Sequence, residues 1–283
     1  MSKLLFMDID GTLYDHGEQN GIPASAKLAV TKARNNGHKV YVCTGRVRSA
    51  VSQDMLDVGF DGAIYAAGAD VEIDHQRLFV HRLAPELLRK TIKILKELEV
   101  GFTLEGEHGS YIDKIAKERF HKMFKMRLGF GTNSELAATF LREHNMSSYL
   151  DINLDEEPIN KISFFAQSAE AIEELKKLLH EDYSILVHGE KDMDYINGEC
   201  IASHLSKATG MDHILEYTQS QLADTMAYGD SLNDYEMILH ANVGVCMGNG
   251  RDIVKEIADD VCDNIEDDAI YKSFIKYGLI MED

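Results

Sequence analysis

The stretch Leu4-Leu5-Phe6-Met7-Asp8-Ile9-Asp10-Gly11-Thr12 decides how this chain is read. Its apolar half, Leu4 to Met7, has the length and composition of a buried strand. Side chains alternate along a strand, so Asp8 and Asp10 are expected to converge where it ends. Two carboxylates that close repel each other, and a bound divalent cation is the commonest reason for placing them so. Oxygen donors of this kind suit Mg²⁺. Gly11 then lets the backbone turn sharply. On its own, the segment reads equally as a strand running into a polar Asp-Gly turn.

Three further segments bear on that choice. Val40-Tyr41-Val42-Cys43 leads into Thr44-Gly45-Arg46. A hydroxyl and free backbone at a strand end, ahead of a helix, can hold a phosphate oxygen. Alone, this is an ordinary strand-to-helix turn capped by Thr44. Thr225-Met226-Ala227-Tyr228 leads into Gly229-Asp230-Ser231-Leu232-Asn233-Asp234, and two acids with an amide are more than a helix cap requires. Lys207 lies in Ser206-Lys207-Ala208-Thr209-Gly210, a helical stretch with Ile201, Leu205 and Ala208 at helical spacing. Taken singly, it reads as a solvated surface lysine.

The pattern along the chain places these segments together. Residues 1–83 alternate strand (4–7), helix (24–36), strand (39–43), helix (47–57) and strand (63–66). Such alternation predicts an α/β fold, a parallel sheet with helices on its faces. Ligands bind beyond the carboxyl ends of the strands in such sheets, and Asp8, Thr44 and Asp230 all lie at such ends. The middle section changes character. A helix from Pro85 precedes strand-like pieces at 101–105, 109–112, 149–153 and 161–166. A helix with Ile172, Leu175 and Leu179 on one face and strands at 184–188 and 193–197 complete an α+β unit. From about 198 the alternation resumes with the Lys207 helix, the Asp230 strand, a helix at 234–241, a strand at 243–246 and a helix at 251–258. Gly248-Asn249-Gly250 lacks the third glycine of a dinucleotide loop and reads as a tight turn near the site entrance.

In this order the four segments resemble the motifs of the haloacid dehalogenase-like phosphatase superfamily, in particular its Cof-type sugar-phosphate phosphatase branch. The resemblance covers nearly the whole chain. Asp8 to Thr12 matches the nucleophile motif, Thr44-Gly45-Arg46 the second motif, Lys207 the family's lysine, and Gly229 to Asp234 the final acidic motif. Two positions depart from the family pattern. Ala67-Gly68-Ala69 stands where Asn-Gly-Ala is usual, and Ala208 follows Lys207 where glycine is common. The resemblance implies a doubly wound, mostly parallel Rossmann-like core (1–83 and 198–283) with an inserted α+β type II cap (84–197). It implies that Asp8 is the nucleophile and Asp10 the general acid and base. Asp8 and Asp230 would ligate Mg²⁺ by side chain and Asp10 by its carbonyl, with Asp234 direct or through water. Thr44, Gly45, Lys207 and Asn233 would hold phosphate oxygens. The implied substrates are small phosphorylated metabolites, sugar phosphates first. A phosphomutase with the same aspartyl-phosphate and a catalytically silent binding protein are the alternatives.

Composition bounds this reading. The 283 residues suffice for one large domain or two modest ones, and the 45% hydrophobic content is ordinary for a globular chain. There is no membrane-length apolar run and no signal-peptide layout, so a cytoplasmic protein with no membrane partner is expected. Cys43, Cys200, Cys246 and Cys262 form no Cys-x-x-Cys pair and read as reduced, mostly buried thiols. The formal net charge of −19 argues against nucleic acid and opposes long-range attraction of a phosphorylated substrate. Attraction must then be local. Either a monomer or a small homo-oligomer is compatible with the sequence.

Overall fold

A computed structural model describes residues 2–17, 20–128, 146–188 and 195–282. In chain order the first strands are β1 (Leu4–Met7), β2 (Lys39–Cys43), β3 (Gly62–Tyr65), β4 (Asp70–Ile73) and β5 (Gln76–Val80). Then come β6 (Gly101–Gly106), β7 (Ser110–Ile112), β8 (Met146–Ser148), β9 (Ile159–Ala166), β10 (Tyr183–Val187) and β11 (Ile196–Ala202). The last are β12 (Thr225–Gly229), β13 (Val243–Cys246) and β14 (Asp260–Val261). The helices are α1 (Ala24–Asn35), α2 (Gln53–Leu56), α3 (Pro85–Glu97), α4 (Lys114–Leu128) and α5 (Ala169–Leu179). They continue with α6 (Lys207–Thr218), α7 (Tyr235–His240), α8 (Asp252–Lys255) and α9 (Ala269–Lys276).

The chain forms two compact units. The first comprises Met1–Arg46, Val51–Val80 and Leu205–Asp283. Its sheet runs β14-β13-β12-β1-β2-β3-β4-β5, parallel from β14 to β3 and antiparallel over β4 and β5. Both faces are covered, as parallel strands require. Leu5 and Met7 of β1 pack in one core with Ala29 and Val30 of α1 and Phe274 of α9. Leu4 and Phe6 pack in a second with Met211 and Ile214 of α6 and Met237 of α7. The β4–β5 hairpin at the sheet edge was not anticipated. It turns at Asp74 and His75, both at positive φ, and this pair lacks the Gly or Asn that signals a hairpin.

The helix expected over 47–57 is instead a short 3₁₀ turn, Arg48–Ala50, followed by the brief α2. The run breaks because Val47–Ala50 belongs to the other unit, where the Ser49 hydroxyl donates to the Gly106 carbonyl (2.8 Å).

The second unit comprises Val47–Ala50 and His81–His204. Its sheet runs β10-β11-β9-β6-β7-β8, antiparallel except between β7 and β8. The strand expected at 149–153 lies earlier, at β8. Tyr149–Asp151 is a 3₁₀ turn that the Ser148 hydroxyl starts by accepting from the Leu150 amide. Helix α4 had no counterpart in the sequence reading. Of the strand expected over 193–197, residues 193 and 194 lie outside the described residues, and β11 begins at Ile196. Ile201 therefore belongs to a strand and not to the Lys207 helix.

Candidate active site

Helix α6 begins at Lys207. Ser206 is its N-cap, its hydroxyl accepting from the Thr209 amide while the Thr209 hydroxyl accepts from the Ser206 amide. This places Lys207 in the first turn, fully buried, with its ammonium 2.5 Å from Asp8 Oδ1 and 2.5 Å from Asp234 Oδ1. The lysine is no surface residue. Its carbonyl meets Cys43 Sγ at 3.9 Å, so α6 starts beside the end of β2, where Thr44 follows.

Asp8 follows β1 and Asp230 follows β12, strands that pair in parallel register with Met7 opposite Tyr228. The two carboxylates therefore emerge side by side. Oxygens of Asp8, Asp230 and Asp234 all lie within 4.8 Å of one another. Burial, then the neighbouring Asp234 charge, raises the Asp8 carboxyl well above the usual carboxylate range, against the pull of Lys207. The same two causes push Asp230 up to about 7. Lys207 is held charged: burial lowers its affinity for the proton, but Asp234 and Asp8 outweigh burial.

Asp234 is already engaged. Its Oδ2 accepts from the Asp230 and Ser231 amides, each at 3.0 Å, so it braces the loop that carries Asp230. Asp230 differs. Its Oδ1 is buried without a well-formed hydrogen bond among the described residues, while the neighbouring Thr12 hydroxyl lies near enough to pull the Asp230 carboxyl down against burial. Crowded acids with an orphaned buried oxygen are the donor set of a hard divalent cation, so these residues fit Mg²⁺.

Asp10 is held by cations. β1 ends at Met7, so strand alternation does not govern Asp8 and Asp10, yet the Asp10 charge is felt at Asp230 and the Asp8 charge at Arg46. Arg46 grips the Asp10 carboxylate with two bonds, Nε to Oδ2 at 2.8 Å and Nη2 to Oδ1 at 2.5 Å. His16 Nε2 lies 2.6 Å from Oδ1. Burial pushes the Asp10 carboxyl up, but Arg46 and then His16 outweigh it and hold it below the usual range. The sequence alone gives Arg46 no task and does not single out His16. The one available signal was a cation next to Thr44-Gly45.

The remaining expected residues are placed as follows. Thr44 and Gly45 are buried, and the Thr44 hydroxyl accepts from the Arg46 amide (3.1 Å). The turn is closed by Ala66 and Ala67, whose amides donate to the Arg46 and Thr44 carbonyls. Both alanines have positive φ (48° and 52°), a strained conformation for a residue with a Cβ. Asn233 is half-buried, and its Oδ1 accepts from the Ser231 hydroxyl (2.8 Å). No described contact joins it to Thr44 or Lys207. Gly11 has φ +88°, and a Cβ there would lie 2.5 Å from Asp230 Oδ2. Asn249, in the turn noted in the sequence, donates to the Gly11 carbonyl at 2.8 Å and so pins this close approach.

The chain is similar to known proteins. The family model described as haloacid dehalogenase-like hydrolase matches residues 5–274. Phosphatase YwpJ of Bacillus subtilis (strain 168) is 28% identical, the match covering 92% of this chain and 94% of that protein. The same organism's 5-amino-6-(5-phospho-D-ribitylamino)uracil phosphatase YcsE is 25% identical, covering 94% and 92%. The solved structure of BT1666 from Bacteroides thetaiotaomicron, a phosphatase of the haloalkanoate enzyme superfamily, superposes with a TM-score of 0.78 at 24% identity, covering 99% of this chain and 96% of that one. That likeness concerns the fold. The family match over nearly the whole length carries the assignment, and the chain belongs to the haloacid dehalogenase-like hydrolases as a phosphatase of that family.

Proposed function

We propose that this enzyme hydrolyses small phosphorylated metabolites, sugar phosphates first, through an aspartyl-phosphate on Asp8 in a Mg²⁺-dependent reaction. The observation that carries the reading is the buried Lys207 ammonium set between Asp8 and Asp234, with Asp230 completing a carboxylate cluster within 4.8 Å. A carboxylate nucleophile divides phosphate-ester hydrolysis into two easier steps. Lys207 keeps the Asp8 oxygen aligned for attack on phosphorus and opposes the burial that favours its protonation. Asp8 and Asp230 would hold Mg²⁺ by side chain and Asp10 by its carbonyl, and the bound ion would screen Asp8 from the phosphate charge. Thr44, the Gly45 amide, Lys207 and Asn233 receive phosphate oxygens.

Asp10 has to give a proton to the leaving oxygen in the first step and take one from water in the second. Its grip by Arg46 and His16 suits the second step, because it keeps the carboxylate charged. For the first step the incoming phosphate competes for Arg46, and Asp10, released from it, carries the proton. The second unit serves as the cap and selects among leaving groups, a task that metal and phosphate ligands cannot perform. No nucleic acid or membrane partner is needed, and the enzyme acts in the cytoplasm. Among the described residues no helix is long and apolar enough to cross a membrane.

A screen of phosphorylated metabolites with phosphate detection, with and without chelator, tests the reading. We expect phosphate release that needs Mg²⁺ and disappears in Asp8→Asn. Undiminished release in excess chelator overturns the metal assignment. Conversion of a sugar phosphate to its isomer without phosphate release would point to a mutase.

A further inference from the structure

The first unit has a second hollow, at the opposite end of its strands from Asp8. A cavity of about 910 Å³ is lined by Leu4 and Lys39, which begin β1 and β2, by Ile73 and Asp74, where β4 ends, and by Tyr217 and Thr218 at the end of α6. The described residues of its wall all belong to the first unit. Small-ligand sites have volumes of about 300–1,000 Å³. Four residues of extended chain, about 13 Å, separate Leu4 from Asp8, so this hollow is distinct from the carboxylate cluster. Tyr41 of β2 forms part of the wall. Its ring stacks on Phe6, with centroids 5.3 Å apart, and the residue is only 1% exposed. Yet its hydroxyl has no hydrogen-bond partner among the described residues. Burial, then the charges of Asp61 and Asp74, push the phenol well up, so it remains an O–H donor. Both acids line the same cavity, and the hydroxyl opens into it.

The charges in the wall are matched except for one. Asp61 accepts from Arg34 Nε (3.0 Å), the Lys39 ammonium (2.9 Å) and the Val40 amide (2.9 Å). Lys3 donates to the Ala223 carbonyl at 3.1 Å and faces Asp224 at 3.8 Å. Asp74 is exposed, and its carboxylate has neither a hydrogen bond nor an ion pair among the described residues. Its amide donates to the Asp61 carbonyl (3.3 Å), which ties the turn to the wall. Helix α6 also ends here, and the C-terminal end of a helix carries a partial negative charge that favours cations. The wall therefore offers an unmatched negative charge beside a buried hydroxyl that has nothing to donate to.

We infer that this cavity binds a small organic ammonium compound that also carries an oxygen acceptor, of the amino alcohol or amino sugar class. The ammonium pairs with Asp74 near the end of α6, and the Tyr217 ring in the wall offers its face to the same charge. The ligand's oxygen accepts from the Tyr41 hydroxyl, the bond that the protein leaves unmade. An anion would meet Asp74 and gain no cation in return, since Lys3 and Lys39 are engaged. A neutral polyol would take the Tyr41 bond and gain nothing from the Asp74 charge. The inference stands apart from the phosphatase reading, because no residue of the carboxylate cluster lines this cavity.

Calorimetric titration of the full chain with glucosamine and ethanolamine tests this, with N-acetylglucosamine and ethylene glycol as their uncharged counterparts. We expect saturable one-to-one binding of an amine and at least about tenfold weaker binding of its counterpart, the loss expected for one hydrogen bond to a charged group. Asp74→Asn removes the charge, and asparagine tolerates the positive φ of this turn, so the fold should survive while the amines bind about tenfold less tightly. Tyr41→Phe keeps the stacked ring and should weaken the amines about fivefold, the value of one neutral hydrogen bond. Because the hydroxyl has no partner inside the protein, this variant should melt no lower than wild type. Absence of saturable heat from both amines overturns the inference. Equal affinity for an amine and its uncharged counterpart also overturns it and makes this a polyol site. Wild-type affinity in either variant places the amine elsewhere, and a lowered melting temperature in Tyr41→Phe shows that the hydroxyl already has a partner; each counts against the site. Phosphate release from esters judges the phosphatase reading separately, whichever way the titrations fall.

Discussion

The Lys207 ammonium and the Asp8 carboxylate, 199 residues apart in sequence, meet at 2.5 Å inside the protein, with no exposure of the lysine. Asp234 lies on the other side of the same ammonium at 2.5 Å. Lys207→Met leaves two buried carboxylates without their cation. We expect a loss of about 3–5 kcal/mol in the metal-free protein, the cost of breaking a buried ion pair. Added Mg²⁺ should restore part of it, because a cation again faces Asp8. Calorimetric melting with and without Mg²⁺ checks both parts, and a variant as stable as wild type in chelator refutes the first.

Asp8→Asn should abolish turnover and leave the fold in place. The change is nearly isosteric and removes the nucleophilic charge. It also relieves crowding among the acids, so the metal-free variant should melt no lower than wild type. Phosphate release and melting temperature measured on the same sample decide the matter; Mg²⁺-dependent turnover above a trace rules out Asp8 as nucleophile.

The pH response follows from Asp230, which burial and then Asp234 push up to about 7. A carboxyl whose folded pKa is raised binds its proton more tightly in the folded state. Its contribution therefore favours the fold at low pH and is lost as pH rises from the ordinary carboxylate range toward about 7. Mg²⁺ needs the deprotonated form and competes with that proton. Its affinity should fall by about tenfold per pH unit below about 7 and level off above. Melting curves at a series of pH values, with and without Mg²⁺, measure this as a stabilisation that grows with pH. A stabilisation independent of pH would contradict it.

Gly11→Ala should damage the site more than the fold. The new Cβ would sit 2.5 Å from Asp230 Oδ2 at a φ of +88°. Left-handed backbone costs a residue with a Cβ about 1–2 kcal/mol, and Asp230 must also move. We expect weakened Mg²⁺ binding by titration and a fall in kcat, with the protein still folded by circular dichroism. Wild-type Mg²⁺ affinity in this variant would show that the approach of Gly11 to Asp230 has no role.

Much of the site was legible because its residues sit where the local pattern changes. Asp8, Thr44 and Asp230 each follow a short apolar strand, and charge or hydroxyl at such an end stands out. Lys207 was legible as a residue and not as an environment. Its burial depends on Asp8 and Asp234, and no local pattern reports a partner so distant in sequence. Arg46 and His16 were hidden for the same reason, since only the turn after β1 aims Asp10 at them. In the fold, strongly periodic elements such as α3 and α5 were read closely. The β4–β5 hairpin was missed because its turn uses Asp74-His75, and β8 was misplaced because a 3-residue strand carries little periodicity.

The order in which the chain is synthesised bears on when catalysis becomes possible. Strand β1 pairs on one side with β2, available early, and on the other with β12, where Leu4 meets Thr225. The whole of the second unit is made between those partners. On the ribosome, β1 must wait with one edge open while the inserted unit, whose strands pair among themselves, folds ahead of it. The nucleophile thus gains its lysine and its acidic neighbours only when the last third of the protein emerges. A nascent or truncated chain lacking β12 would hold a folded second unit and an unassembled centre.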